Sequence, residues 1–182
     1  NLRKVIKAAE KFVEDACRYL EPHEKFDAEK WLAGNKKDRN IQPIHEKYGE
    51  LVNEICNSER VDYRLITGHE AEAIINNESS GKPLAGDKVK GLGLMGLEPA
   101  TALKMGVNPD SLTVPYWNLL AGIRYLNYLV RRYDDLPMAI VAYSCGEQRF
   151  DVNYKNVNPH QAVYYQKIKA LMDVADEQLA AE

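Results

Sequence analysis

From about residue 61 onward, apolar residues recur at helical spacing only in short runs, and glycine, proline and asparagine interrupt them at close intervals. A chain punctuated this way builds neither long bundle helices nor regular strands. It folds as a cluster of short helices joined by tight turns. Leu65, Ala71, Ile74 and Ile75 place a helix over 64–77, and Ser79 to Lys90 form a polar loop containing Gly81, Pro83 and Gly86. Pro99 opens and Gly106 follows a short helix over 99–105. Leu119, Ile123, Leu126 and Val130 mark a longer one over 118–133, and two more cover 135–143 and 159–178. No segment sustains period-two alternation, so the expected class is mainly α.

The N-terminal part reads differently. Val5, Ala8, Ala9, Phe12, Val13 and Leu20 give an amphipathic helix over 2–20, which Glu21-Pro22 ends. A short helical piece at 27–32 precedes a polar loop over 34–40, and Ile44, Tyr48, Leu51, Val52 and Ile55 resume helical periodicity over 43–57. The expected division is an N-terminal helical extension over 1–57, its apolar faces packed on a second unit over 58–182.

Charge narrows the function classes. A net charge of −3 and a pI near 5.9, with basic residues scattered, argue against nucleic-acid binding. No apolar run approaches the roughly 20 residues of a membrane span. The opening Asn1-Leu2-Arg3-Lys4 lacks a signal-type apolar core and reads as a mature or shortened chain. Cys17, Cys56 and Cys145 form no CxxC pattern, and with the histidines they show no metal-ligand spacing, so neither metal nor cofactor is expected. Cys17 and Cys56 either pair, if the protein is exported, or stay reduced and buried.

Glu78 is the first candidate for chemistry. Ile74 and Ile75 precede it by four and three residues, so on a helix they share its face. Apolar surroundings and the negative end of the helix dipole both favour the neutral carboxyl. Protonating a glycosidic oxygen needs such a group. Taken alone, the same window also describes a solvated helix end.

Three further blocks follow in order: Gly93-Leu94-Met95-Gly96 leading to Pro99-Ala100-Thr101-Ala102, then Asn118 through Gly122 to Tyr125-Leu126, then Ala142-Tyr143-Ser144-Cys145-Gly146. With Glu78-Ser79 they resemble the soluble, goose-lysozyme-like lytic transglycosylases. That family runs Glu-Ser, Gly-Leu-Met-Gln with Pro-x-Thr-Ala, Asn-x-x-x-Gly-x-x-Tyr-Leu, and Ala-Tyr-Asn-x-Gly. The resemblance covers about residues 60–170 and implies a lysozyme-like helical domain.

It further implies that Glu78 is the catalytic acid/base and that Ser79 orients substrate beside it. Gly93, Leu94 and Met95 correspond to the turn lining the cleft, and Tyr143 to the tyrosine that hydrogen-bonds near the glutamate. Tyr164 assists from the other side. Leu94, Ile123, Leu126 and Tyr125 also read as ordinary core. Two residues depart from the pattern: Gly96 stands where glutamine is usual, and Ser144 where asparagine is usual. Both shorten a polar side chain that touches sugar or tyrosine.

The implied activity is lyase-type degradation of cell-wall murein, in the periplasm or outside the cell. The partner is the peptidoglycan glycan strand, and the expected oligomeric state is monomeric. Two other readings stay open. A goose-type lysozyme would need a second carboxylate, for which Asp87 is the first candidate and Glu98 the second; a non-catalytic module would bind glycan only. The segment His69-Glu70-Ala71-Glu72 reads as solvated polar surface.

Overall fold

The computed structural model describes residues 26–34, 40–61, 66–89, 91–153 and 158–179. The expected helix over 2–20, Cys17, most of the loop over 34–40 and the start of the segment at 62–65 lie outside them. The described chain runs α1 (Ala28–Gly34), α2 (Gln42–Ser58), α3 (His69–Ser79), β1 (Gly86–Asp87), β2 (Gly91–Leu92), α4 (Pro99–Lys104), α5 (Pro115–Tyr133), α6 (Leu136–Cys145), α7 (Glu147–Asn153) and α8 (Val163–Leu179). Short 3₁₀ turns occupy Pro109–Ser111 and Pro159–Gln161. The class is mainly α, as the interrupted periodicity requires.

The ends of these helices carry local chemistry. Pro115 opens α5, one turn ahead of the expected start, because its fixed φ suits a first helical position. Asp135 caps α6, its side chain accepting the Met138 N–H at 2.7 Å. Two pieces were not anticipated. β1 and β2 form a two-residue antiparallel ladder, β1 inside the expected loop and β2 just past its end. α7 follows Gly146, in a stretch too polar to show an apolar face.

A single hydrophobic core runs through the described helices. Ile41, Ile44, Tyr48, Val52, Ile55 and Cys56 of the α2 region join it together with Ile74, Ile75, Leu119, Ile123 and Ile168. The boundary expected at 57/58 therefore falls at the end of a helix that shares the core on its C-terminal side. Trp31 and Leu32 of α1 also pack against it. Cys56 and Cys145 are buried free thiols.

α3 is the central element: it packs on α2 and, most extensively, on α8. Ile74 and Ile75 are fully buried, each worth about 1.5–3 kcal/mol in apolar burial. The solvated reading of Glu70 and Glu72 is corrected here, since they are only 3% and 2% exposed. The first turn of α3 is pressed between its neighbours, and each carboxylate finds a partner there. Glu70 Oε2 accepts from the Thr67 N–H at 2.8 Å and from its hydroxyl at 3.1 Å. Glu72 Oε1 lies 2.9 Å from His45 Nδ1 on α2. His69 meets Asp176 of α8 at 2.7 Å, not its flanking acids. These pairs fix α3 against both neighbours and so set where its far end points.

Candidate active site

Glu78 is the penultimate residue of α3. The helix stops at Ser80, which adopts the left-handed conformation with φ 50° and returns its N–H to Asn76 O. Ser79 is buried, and its hydroxyl contacts the carbonyls of Ile75 at 2.9 Å and Leu94 at 2.8 Å. It ties the end of α3 to the turn at 93–96. Ser79 thus positions the glutamate's surroundings, and the sugar-facing role expected for it is not what its contacts describe.

The turn at 93–96 is held from beneath by Asn118. This fully buried side chain donates to the carbonyls of Leu92 and Leu112, both at 2.8 Å, and accepts the Met95 N–H at 2.8 Å. The Leu112 carbonyl and the Met95 N–H lie in turns, whereas the Leu92 carbonyl, at the end of β2, also accepts the Leu97 N–H at 3.0 Å. Gly122, one helical turn along α5, leaves room for Met95, since a Cβ there would lie 2.3 Å from its sulfur. The spacing Asn-x-x-x-Gly thereby has a mechanical meaning: one residue grips the turn and the other admits its methionine.

Leu94 and Met95 are fully buried, and Gly93 is buried against Asn118 and the Leu112 carbonyl. Leu94 and Met95 turn their side chains into the core, and the residue of this turn that lines the groove is Gly96. With φ +62°, Gly96 is in the left-handed region, and a Cβ on it would lie 2.8 Å from Glu78 Oε2. The missing side chain is the space into which the Glu78 carboxyl leans.

Two tyrosines complete the surroundings, with exchanged roles. Tyr164, from the first turn of α8, donates its hydroxyl to Glu78 Oε1 at 2.7 Å, and Asn77 donates to the same oxygen at 3.3 Å. Tyr143, expected near the glutamate, donates to the Met95 carbonyl at 2.8 Å and so braces the turn. Burial raises the pKa of both phenols far above the ordinary value, so both stay protonated donors.

The Glu78 residue keeps an accessible face, yet protein crowds its carboxyl. Desolvation is the strongest influence and raises the pKa above the usual glutamate value. The hydrogen bonds from Tyr164 and Asn77 and the charge of Lys167 oppose it without cancelling it. An acid is thus held ready at the edge of an open groove.

That groove, of about 510 Å³, is lined by Glu78 and Gly96 at one end. Ala100, Thr101 and Lys104 of α4 line one side, and Tyr143 to Arg149 line the other. Tyr125 of α5, read from the sequence as core, lies along it as well, its ring 5.4 Å from that of Tyr143. Ser144 also lines it, its hydroxyl turned back to the Val141 carbonyl at 2.8 Å. α7 carried no signal of a groove wall in the sequence, because the residues it gives to the groove, Glu147, Gln148 and Arg149, are three consecutive polar residues. Of the two candidate second carboxylates, Glu98 lines the groove, whereas Asp87 sits in β1, outside that lining, and accepts the Val89 N–H at 2.8 Å. Among the described residues, no group of three or more His, Cys, Asp or Glu side chains is arranged to hold a metal ion.

The fold is helical and lysozyme-like, with the Glu78 carboxyl crowded beside the glycine turn. The comparisons place it. The model of the transglycosylase SLT domain matches residues 52–165, and the chain belongs to that family, one of lytic transglycosylases. A transglycosylase of Enterobacteria phage PRD1 is 36% identical over 86 residues, 47% of this chain and 30% of the phage protein. The 70 kDa soluble lytic transglycosylase of Escherichia coli shares the fold with a TM-score of 0.59 and 19% identity. That likeness covers 72% of this chain and 24% of the larger one. The chain thus spans less than a third of either relative.

Proposed function

We propose that this domain is a peptidoglycan lytic transglycosylase with Glu78 as its one acid and base. The reading rests most directly on the crowded Glu78 carboxyl, its pKa raised by burial, at the head of an open groove. Glu78 donates its proton to the oxygen joining N-acetylmuramic acid to N-acetylglucosamine, and that bond breaks. The substrate's own acetamido oxygen covers the positive charge at the anomeric carbon, so no second protein carboxylate is required. Glu78, now ionised and stabilised by the Tyr164 hydroxyl, removes the proton of the muramic acid 6-hydroxyl as that oxygen attacks the same carbon. The product is a 1,6-anhydro sugar, and no cofactor takes part.

Peptidoglycan lies outside the cytoplasm, which places the working enzyme in the periplasm or beyond, as a monomer. Among the described residues no helix is long and apolar enough to cross a membrane. Of the N-terminal segment, α1 and α2 pack on the core of the catalytic body. Glu98 on the groove wall supports one competing reaction, hydrolysis by activated water. Mass spectrometry of the products decides: anhydro-muropeptides support the transglycosylase, reducing ends the hydrolase. Glycan binding without release of any fragment would leave only a binding module.

A further inference from the structure

α1 precedes residues 52–165, the span that the family model matches, and it packs on α8. Asp27 caps its first turn by accepting the Lys30 N–H at 2.9 Å. Trp31 follows, its N–H bonded to the Asp27 carbonyl at 2.9 Å, and the Phe26 ring tilts against the indole at 5.7 Å. Lys167 of α8 places its Nζ 5.4 Å from the centroid of the Trp31 ring, within cation–π reach. Lys167 stands three residues after Tyr164, so the two side chains leave the same face of α8. Tyr164 donates to Glu78 Oε1 at 2.7 Å. Burial raises the pKa of Glu78, and the Tyr164 and Asn77 bonds and the Lys167 charge pull it back. Tyr143 of α6 also faces the carboxyl, and Glu98, Lys104, Glu147 and Arg149 line the groove that it heads. Glu29 and Lys30, the charged residues of α1, are exposed.

We propose that Trp31 is a positioning residue: it holds the Lys167 ammonium beside the Glu78 carboxyl, and through that ammonium the N-terminal segment tunes the acid. This deepens the reading of Glu78 as acid and base, and rests on it. Burial alone favours the neutral carboxyl, yet the reaction asks the same group to ionise midway. A cation kept beside it lowers the energy of the ionised form. A lysine on its flexible stem samples many positions unless something gathers it. The electron-rich face of an indole does so without cancelling the charge, as a carboxylate partner would.

Carbon-13 NMR of the side-chain carboxyls reads the Glu78 titration without turnover, and the Glu78→Gln spectrum identifies its signal. Lys167→Met keeps the stem and removes the charge, and it should move the midpoint to higher pH. Trp31→Leu keeps apolar bulk without the aromatic face, and it should move the midpoint the same way by a smaller amount. Trp31→Phe should restore most of the wild-type value. Adding Trp31→Leu to Lys167→Met should move the midpoint no further, because the two residues act along one line. The upper limb of kcat/KM on peptidoglycan should shift in the same order. A wild-type midpoint in Trp31→Leu overturns the inference, even if that variant melts at a lower temperature. An unmoved midpoint in Lys167→Met overturns it whatever the Trp31 variants do, as does a further shift in the double variant. Shifted midpoints with no muropeptide released by the wild-type protein refute the lytic reading and leave the tuning standing. Unshifted midpoints with muropeptides released do the reverse.

Discussion

Tyr164 and Glu78, 86 positions apart in sequence, meet in a 2.7 Å hydrogen bond that joins the start of α8 to the end of α3. The bond does two things at once. It fixes the carboxyl in the groove, and it stabilises the carboxylate that forms once the proton has left. Desolvation works in the opposite direction, so the pKa of Glu78 is the balance of the two.

Glu78→Gln should lower the turnover of peptidoglycan by at least about a hundredfold. The fold should survive, because glutamine keeps the shape and the Tyr164 contact. Folded carboxyl groups with a raised pKa contribute stability below the unfolded value and lose it as pH rises through the folded one. At neutral pH the variant should therefore melt no lower than wild type in thermal unfolding.

The same balance gives the pH profile a definite sign. The free enzyme must carry the proton on Glu78, so kcat/KM should fall as pH rises through a pKa above the ordinary glutamate value. Tyr164→Phe removes a bond that favours the ionised form, which moves that limb to still higher pH. It should also slow the reaction about tenfold, as the carboxylate formed midway loses a donor. A limb unmoved in Tyr164→Phe would show that this tyrosine does not tune the acid.

Gly96→Ala should impair both stability and rate. The positive φ costs a side-chain-bearing residue about 1–2 kcal/mol, and the new methyl would sit 2.8 Å from Glu78 Oε2. A lowered melting temperature together with a reduced kcat is the expected result. An unchanged kcat would mean that the carboxyl does not need the space it now occupies.

Asn118→Ala should destabilise the domain by about 2 kcal/mol or more, since it removes the side-chain partner of the Met95 N–H and of the Leu112 carbonyl and one of two donors to the Leu92 carbonyl. Denaturant unfolding measures this directly. Asp87→Asn, by contrast, should leave the rate within about twofold, because Asp87 lies outside the groove lining and serves a local turn.

Much of the site was legible along the chain because its pieces are local motifs. Glu78 with Ile74 and Ile75 behind it, the glycine turn at 93–96 and the Asn118–Gly122 spacing each occupy a few residues, and each makes sense on one helix or turn. The assignment of partners was not legible. Tyr143 and Tyr164 are equally plausible donors in sequence, and only the packing of α6 and α8 shows that one braces Met95 while the other reaches Glu78.

The burial of Glu70 and Glu72 went unseen for a related reason. Glu70 is held by Thr67, three residues before it, and Glu72 by His45, whose proximity depends on how α2 crosses α3. α7 and the Lys104–Glu147 pair escaped notice because a short polar helix carries no periodic signal, and an ion pair between two helices has no sequence signature.

The sequence by itself determined the helical class, the turn positions and the candidate acid, because hydrophobic periodicity and backbone conformation are properties of neighbouring residues. Tertiary structure alone decided how strongly that carboxyl holds its proton, which tyrosine reaches it, and which residues line the groove beside it. Those depend on burial and on contacts between residues many positions apart, and such distances are set only when the helices pack.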